Sequence, residues 1–346
     1  METPPSAGSP AVGEPAAEQS AARRPDIIVR WTAVPPTRVP PAEGDAAAYA
    51  VVYVRPETNT VLYERAIVSG IRVHGSLAYL ANLDASLFRR DRILERHYAS
   101  QFRFAIEPRE ALGRYPEMVH RFEEHFGVSL SRARLAGAFE ALELLSMDEE
   151  QLFDTIVPED DYLSMWGQEL KRIGGLVVAN PSLPAVVNRY VPGANVFVAV
   201  ARCREPGPEA LSALNRSIYE AVVARHETPI LDGDRLGALV WKERIRRTYH
   251  ISSNHLMAMF DMADLVYVDD DHRLDVTDTP LGRRLAAGGR VSEEQLRHAH
   301  REQLVYIGAG AERTLCYLPQ AGEGKGVRDI EEMLAALQAL SPLAPA

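Results

Sequence analysis

The residues best able to do chemistry stand close together in YHISSNHLMAMFDMAD, residues 249–264, which carries two histidines, two serines, an asparagine and two aspartates. His250 is expected to end a strand bearing Arg244, Arg246 and Arg247, and the chain then turns into a helix through Ser252, Ser253 and Asn254. The first turn of a helix leaves backbone amides without intrahelical acceptors, so such a corner can hold an anion or a developing oxyanion. This reading assigns Arg244, Arg246, Arg247 and Asn254 to binding an anionic substrate. It assigns His250 and His255 to acid–base work, and Ser252 or Ser253 to the role of nucleophile or hydrogen-bond donor. With Ser252 or Ser253 as cap, the helix would bury Leu256, Met259, Phe260 and Ala263, leaving His255 on one flank and Asp261 and Asp264 on the other. The plainer alternative is that a serine only caps the helix and the arginines meet surface carboxylates.

Other polar groups offer less. In HRFEEH, residues 120–125, the histidines are five apart, which places His125 on the apolar face near Met118 and Phe122 and His120 well away from it; helical zinc motifs need a separation of four. DDDHRLD at 269–275 lacks the glycine and distal glutamate of a calcium loop and reads as a hairpin turn. ERHYASQ at 95–101 supplies Glu95, His97 and Tyr98, groups capable of acid–base chemistry if a cleft surrounds them. GAGAER at 308–313 leads into a strand, so no helix amino terminus is available for a pyrophosphate. GEGKG at 322–326 lacks the length and the Ser/Thr of a phosphate-binding loop. No metal and no cofactor is expected.

The elements that must position these groups begin with an Ala-, Pro-, Glu- and Ser-rich tail, residues 1–25, expected to be disordered. Asp26–Val34 reads as a strand, and Tyr49–Arg55 with Thr60–Val68 as a hairpin around PETN. Residues 85–180 read as mostly helical, with Trp166, Leu170, Ile173 and Val177 at helical spacing. Val196–Cys203 is a continuous apolar run fit for the centre of a sheet. Leu211, Leu214, Ile218 and Val222 mark an amphipathic helix; Leu236–Trp241 and Arg244–Tyr249 read as strands. Leu265–Val268 pairs with His272–Val276 and Val305–Ile307 with Thr314–Leu318, and a last helix carries Ile330, Met333, Leu334, Leu337 and Leu340.

Residues 279–303, TPLGRRLAAGGRVSEEQLRHAHREQ, specify two short helices. Pro280 suits a first helical turn, Gly288 and Gly289 suit a left-handed exit, and Ser292 with Gln295 forms a capping-box pattern. The spacing of Leu281, Gly282, Leu285, Gly289, Val291, Leu296 and Gln303 resembles the repeat in the N-terminal domains of type II secretion and type IV pilus assembly ATPases, some of which bind cyclic di-GMP. This chain departs from that pattern: Pro280 stands where the nucleotide-binding version carries arginine, His300 replaces an apolar residue, and no second copy follows.

Composition bounds the rest. A chain of 346 residues with 46% hydrophobic and 25% charged content can bury one large core or two ordinary ones. The expected class is α+β: a mixed or antiparallel sheet with a largely helical middle segment. The expected division is a tail at 1–25, an N-terminal region at 26–206 and a C-terminal region at 207–346, jointed at Glu205–Pro208 or continuous from 26 to 341. With no membrane-length apolar run, no apolar signal core and only Cys203 and Cys316, the expected compartment is the cytoplasm with both thiols reduced. A formal charge of −10 disfavours general nucleic-acid binding. Residues 135–170 contain no Lys or Arg but ten acidic residues from Glu140 to Glu169, a surface suited to a basic partner. The leading expectation is therefore a non-enzymatic interaction or regulatory protein with a protein partner, docking through its acidic face and helical hairpin. The alternative is an enzyme acting on an anionic small molecule or ester at residues 244–255.

Overall fold

A computed structural model describes residues 27–31, 48–225 except 192 and 206, and 248–337 except 270, 271 and 309. The expected tail, the Leu236–Trp241 strand, and Arg244, Arg246 and Arg247 lie outside the described residues. Among the described residues the strands form three sheets. The largest is wholly antiparallel and takes β1 (Ile27–Trp31), β2 (Tyr49–Val54), β3 (Gly75–Asp84), β8 (Asn195–Cys203) and β9 (Tyr249–Ile251) in the spatial order β1-β3-β8-β2-β9. A mixed sheet takes β4 (Leu135–Gly137), β5 (Tyr162–Met165), β6 (Gln168–Ile173) and β7 (Leu176–Ala179) in the order β4-β7-β6-β5. The third is the hairpin of β10 (Leu304–Ile307) and β11 (Thr314–Tyr317). Helices occupy much of the remainder, giving the α+β class that the sequence pattern implies.

β8 sits at the centre of the large sheet because it can bury both of its faces. Val196, Val198 and Val200 point to one side with Val51, Tyr53, Tyr79 and Leu83. Phe197, Ala199 and Ala201 point to the other, where the helices Val61–His74 and Pro208–Val223 cover them with Ile67, Ile71, Leu214 and Ile218. The first side is closed by Met262 and Leu265 of the helix His255–Leu265. The opposite side of that helix, with Leu256, Met259 and Phe260, packs on the helices Pro280–Ala287, Glu293–Glu302 and Val327–Ala335. Every residue of His255–Leu265 is buried. That position between two layers decides what its polar residues must do.

Several elements differ from the sequence expectation; Leu265 ends a helix, and the expected 265–268/272–276 strand pair is reduced to the bridge Tyr267↔Arg273. Thr60–Val68 is not the second strand of a hairpin: Thr60 accepts from the Tyr63 amide and caps a helix, Val61–His74. Its apparent alternation comes from Val61 and Leu62, which end up exposed in the first turn, while Ala66, Ile67, Gly70 and Ile71 form a helical stripe. Trp166–Val177 is not a helix but two antiparallel hairpins, turning at Trp166–Gly167 and Gly174–Gly175 with positive φ at all four residues. Two-residue turns of this kind match the twist of the flanking strands and favour glycine, a local signal that outweighs an accidental three-to-four spacing. The strand Gly75–Asp84 was unassigned by pattern.

The two helices at 280–302 form as read, with Gly289 at φ 73° and a complete capping box between Ser292 and Gln295. Leu285, Val291, Leu296 and Ala299 are directed into the core. Gln303, also with positive φ, is buried and donates to the carbonyls of Arg96 and His97.

Candidate functional site

Asp261 and Asp264 are three apart on one helical face, and both side chains are fully buried. A carboxylate taken out of water needs charged or hydrogen-bonding partners, and three segments supply them: β9 and its end, the helix Ile93–His97 and the helix Glu293–Glu302. Ser252, just past β9, donates to Asp261 Oδ2 at 2.7 Å, and Nε2 of His250 on β9 lies 3.0 Å from the same oxygen. On Asp264, Oδ1 is 3.1 Å from Nε2 of His300 and 3.3 Å from Nε of Arg96. Between the two aspartates stands His97, from the helix Ile93–His97, with Nδ1 3.4 Å from Asp261 Oδ1 and 3.7 Å from Asp264 Oδ2. The result is a continuous polar run, His250–Asp261–His97–Asp264–His300, through the apolar middle of the molecule.

Charge settles strongly in this run. Burial opposes protonation of His97, but the facing carboxylates of Asp264 and Asp261 prevail and push it up to about 9. Burial likewise opposes ionisation of Asp264, yet the charge and hydrogen bond of His300, backed by His97, hold its carboxyl well below the usual range. Tyr53 stacks on His250 with ring centroids 4.8 Å apart, and Tyr98 meets His97 edge-on. These rings fix both imidazoles in orientation.

The residues expected at the 249–255 corner separate. His250 and Ser252 converge on Asp261. The Ser252 hydroxyl is buried and also accepts from the Val51 amide at 3.0 Å, so it serves as a bridge between sheet and helix. The cap is Asn254, not either serine: its Oδ1 accepts from the Met257 amide at 2.9 Å, because Asn254 is the residue with extended backbone directly before the first helical turn. Ser253, Asn254 and His255 instead line a separate cavity of about 290 Å³ beside Lys325 and Glu209. Burial holds His255 below its ordinary value, and its Nε2 has no hydrogen-bond partner among the described residues.

A larger cleft, about 450 Å³, opens at the other end of the run. Arg96, Arg273, Arg297, Arg301 and His300 line it, against the carboxylates of Asp91 and Asp275. Arg96 Nη2 is buried without a hydrogen-bond partner among the described residues. The pattern reading named Asp261, Asp264 and His97 only as loose groups and gave His300 and Arg96 no role. The available signal was the helix itself: with apolar residues on all sides it had to be buried, and its two aspartates then required distant partners.

No family model, curated protein or solved structure matches the chain. Among the described residues no helix is long and apolar enough to cross a membrane.

Proposed function

We propose that the chain binds a small anionic molecule in the arginine-lined cleft and that His300, oriented by Asp264, acts on it as acid or base. The observation that carries this reading is the shared carboxylate: Asp264 Oδ1 holds both Arg96 and His300, and both side chains line the same cleft. An imidazole hydrogen-bonded to a buried carboxylate has a fixed orientation, the arrangement that general acid–base catalysis requires. The partnerless Arg96 Nη2 and the exposed Arg301 supply donors for an anion. This proposed site lies at the opposite end of the polar run from His250 and Ser252.

Thermal denaturation in graded inorganic phosphate, citrate and sugar phosphates tests the proposal. A ligand of the native cleft raises the transition with concentration, and R301A and R96Q weaken that binding roughly tenfold or more, as expected for loss of a charge-assisted hydrogen bond. Equal binding by wild type and both variants, or none by any anion, would sink it.

A second reading keeps the chain as an interaction protein of the cytoplasm. It rests on Ile156, 94% exposed, and Leu144, 55% exposed, within a segment whose Glu140, Glu143, Asp154, Glu159 and Asp160 are also exposed. Exposed apolar side chains in a segment rich in exposed carboxylates suit a basic amphipathic partner. The outer face of the 280–302 hairpin, with Arg284, Arg290, Glu293 and Glu294 exposed, is available to the same partner class.

A further inference from the structure

The two aspartates of the buried run divide their oxygens in the same way. Asp261 Oδ2 takes Ser252 and His250, and Asp264 Oδ1 takes His300 and Arg96. The remaining oxygens, Asp261 Oδ1 and Asp264 Oδ2, are buried without hydrogen-bond partners among the described residues, and both face Nδ1 of His97. A single imidazole proton cannot satisfy both. At 3.4 and 3.7 Å, both distances also lie beyond the 2.7–3.2 Å range of N–H···O bonds. Atoms that ligate one tetrahedral ion at about 2.1 Å, in contrast, stand about 3.4 Å apart. One ligand atom each from His97, His250 and Asp261 lies within 4.8 Å of the others.

We propose that His97, His250 and Asp261 form a binding site for a divalent transition-metal ion of the zinc class, with the free oxygen of Asp264 directed to the same place. Two imidazoles and one carboxylate are the donors that zinc, iron(II) and cobalt(II) accept while keeping a coordination position open for water. His250, 22% exposed, provides the side nearest solvent. Ser252 holds the outer oxygen of Asp261, the role of an outer-shell hydrogen bond that fixes a metal ligand in place. Pattern reading found no metal site because the donors come from three separate segments, at residues 97, 250 and 261, and share no local spacing. None of the three ligands lines the anion cleft, and Asp264, through its two different oxygens, is the residue that both sites share.

The test uses the full chain, stripped with a chelator and titrated with cobalt(II). Absorption in the visible range reports inner-sphere ligation, and elemental analysis after dialysis against zinc reports stoichiometry. The expected result is one ion per chain with a d–d spectrum typical of low coordination number. H250Q, at the partly exposed ligand, should weaken binding by about 100-fold or more, and S252A, which removes the hydrogen bond to the outer oxygen of Asp261 without removing a ligand, by roughly 10-fold. Circular dichroism establishes that each variant is folded, and D261N provides a second ligand deletion. Failure of folded wild type to take up either metal would overturn the site, as would binding that H250Q and D261N leave unchanged. In the first case His97 is simply an imidazolium held between two carboxylates.

Discussion

Asp264 carries three partners on one carboxylate at zero exposure, whereas Asp275, on the wall of the neighbouring cleft, pairs with Arg297 at 44% side-chain exposure. The two pairs should differ in energy by the difference in their solvation. Removing one partner of a buried ionic group leaves the others charged in a poor solvent, which costs about 3–5 kcal/mol, while an exposed pair contributes about 0–1 kcal/mol. D264N is therefore expected to lower unfolding free energy by about 3–5 kcal/mol and D275N by less than about 1 kcal/mol, measured by urea denaturation at constant pH. Similar small losses for both would mean that the polar run is more hydrated than its burial indicates. At this scale the sequence was partly legible. Asp261 and Asp264 could be placed on one flank away from His255, because helical geometry fixes that. Their partners could not: Arg96 is 168 residues from Asp264 and Ser252 comes from another layer, and only tertiary packing brings them together.

Helix-on-helix packing over the back of the large sheet depends on Gly70. A Cβ there would stand 2.5 Å from Ile218 Cα and 2.9 Å from Ser217 O, and the Ser217 hydroxyl donates to the Gly70 carbonyl at 2.9 Å. Backbone cannot yield as a side chain can, so G70A must push the helices Val61–His74 and Pro208–Val223 apart. An expected loss of about 1–3 kcal/mol follows from overpacking. G113A is the control, since a Cβ at the end of the helix Pro108–Gly113 meets nothing within 4 Å; it should be neutral or stabilising by up to about 1 kcal/mol. Equal effects in denaturant melts would remove the close-approach account. The element that holds Gly70 is also the one misread as a strand. A β-branched, alternating start, TVLYERAIV, satisfies the strand pattern locally, and the helical choice is made by Thr60 as cap and by the later stripe that meets Ile218. Where one periodicity ran without a competitor, as in Val196–Cys203 and Pro208–Val223, element and burial followed from sequence directly.

For the whole molecule, a formal charge of −10 is an average over faces of opposite character. The cleft beside His300 gathers four arginines, while the segment from Glu140 to Asp161 exposes several carboxylates together with Ile156 and Leu144, its Glu150 and Asp161 neutralised by Arg189 and Arg172 and its Thr155 carbonyl held by Lys171. Long-range attraction would bring a basic partner to the acidic face and an anionic one to the cleft, and salt would weaken both approaches over a Debye length of about 8–10 Å. Affinity at the acidic face must come from burial of Ile156, since exposed ion pairs add little, and burying that side chain is worth about 1.5–3 kcal/mol. I156D should therefore weaken binding of a Lys- and Leu-patterned amphipathic helix by roughly 10- to 100-fold in fluorescence anisotropy. Raising salt should slow association of wild type and variant alike without removing the difference between them. If the peptide binds I156D as tightly as wild type, the apolar centre has no part in recognition and attraction is only electrostatic; if it binds neither, the acidic face is a solvated surface and the cleft alone remains as the working side of the protein.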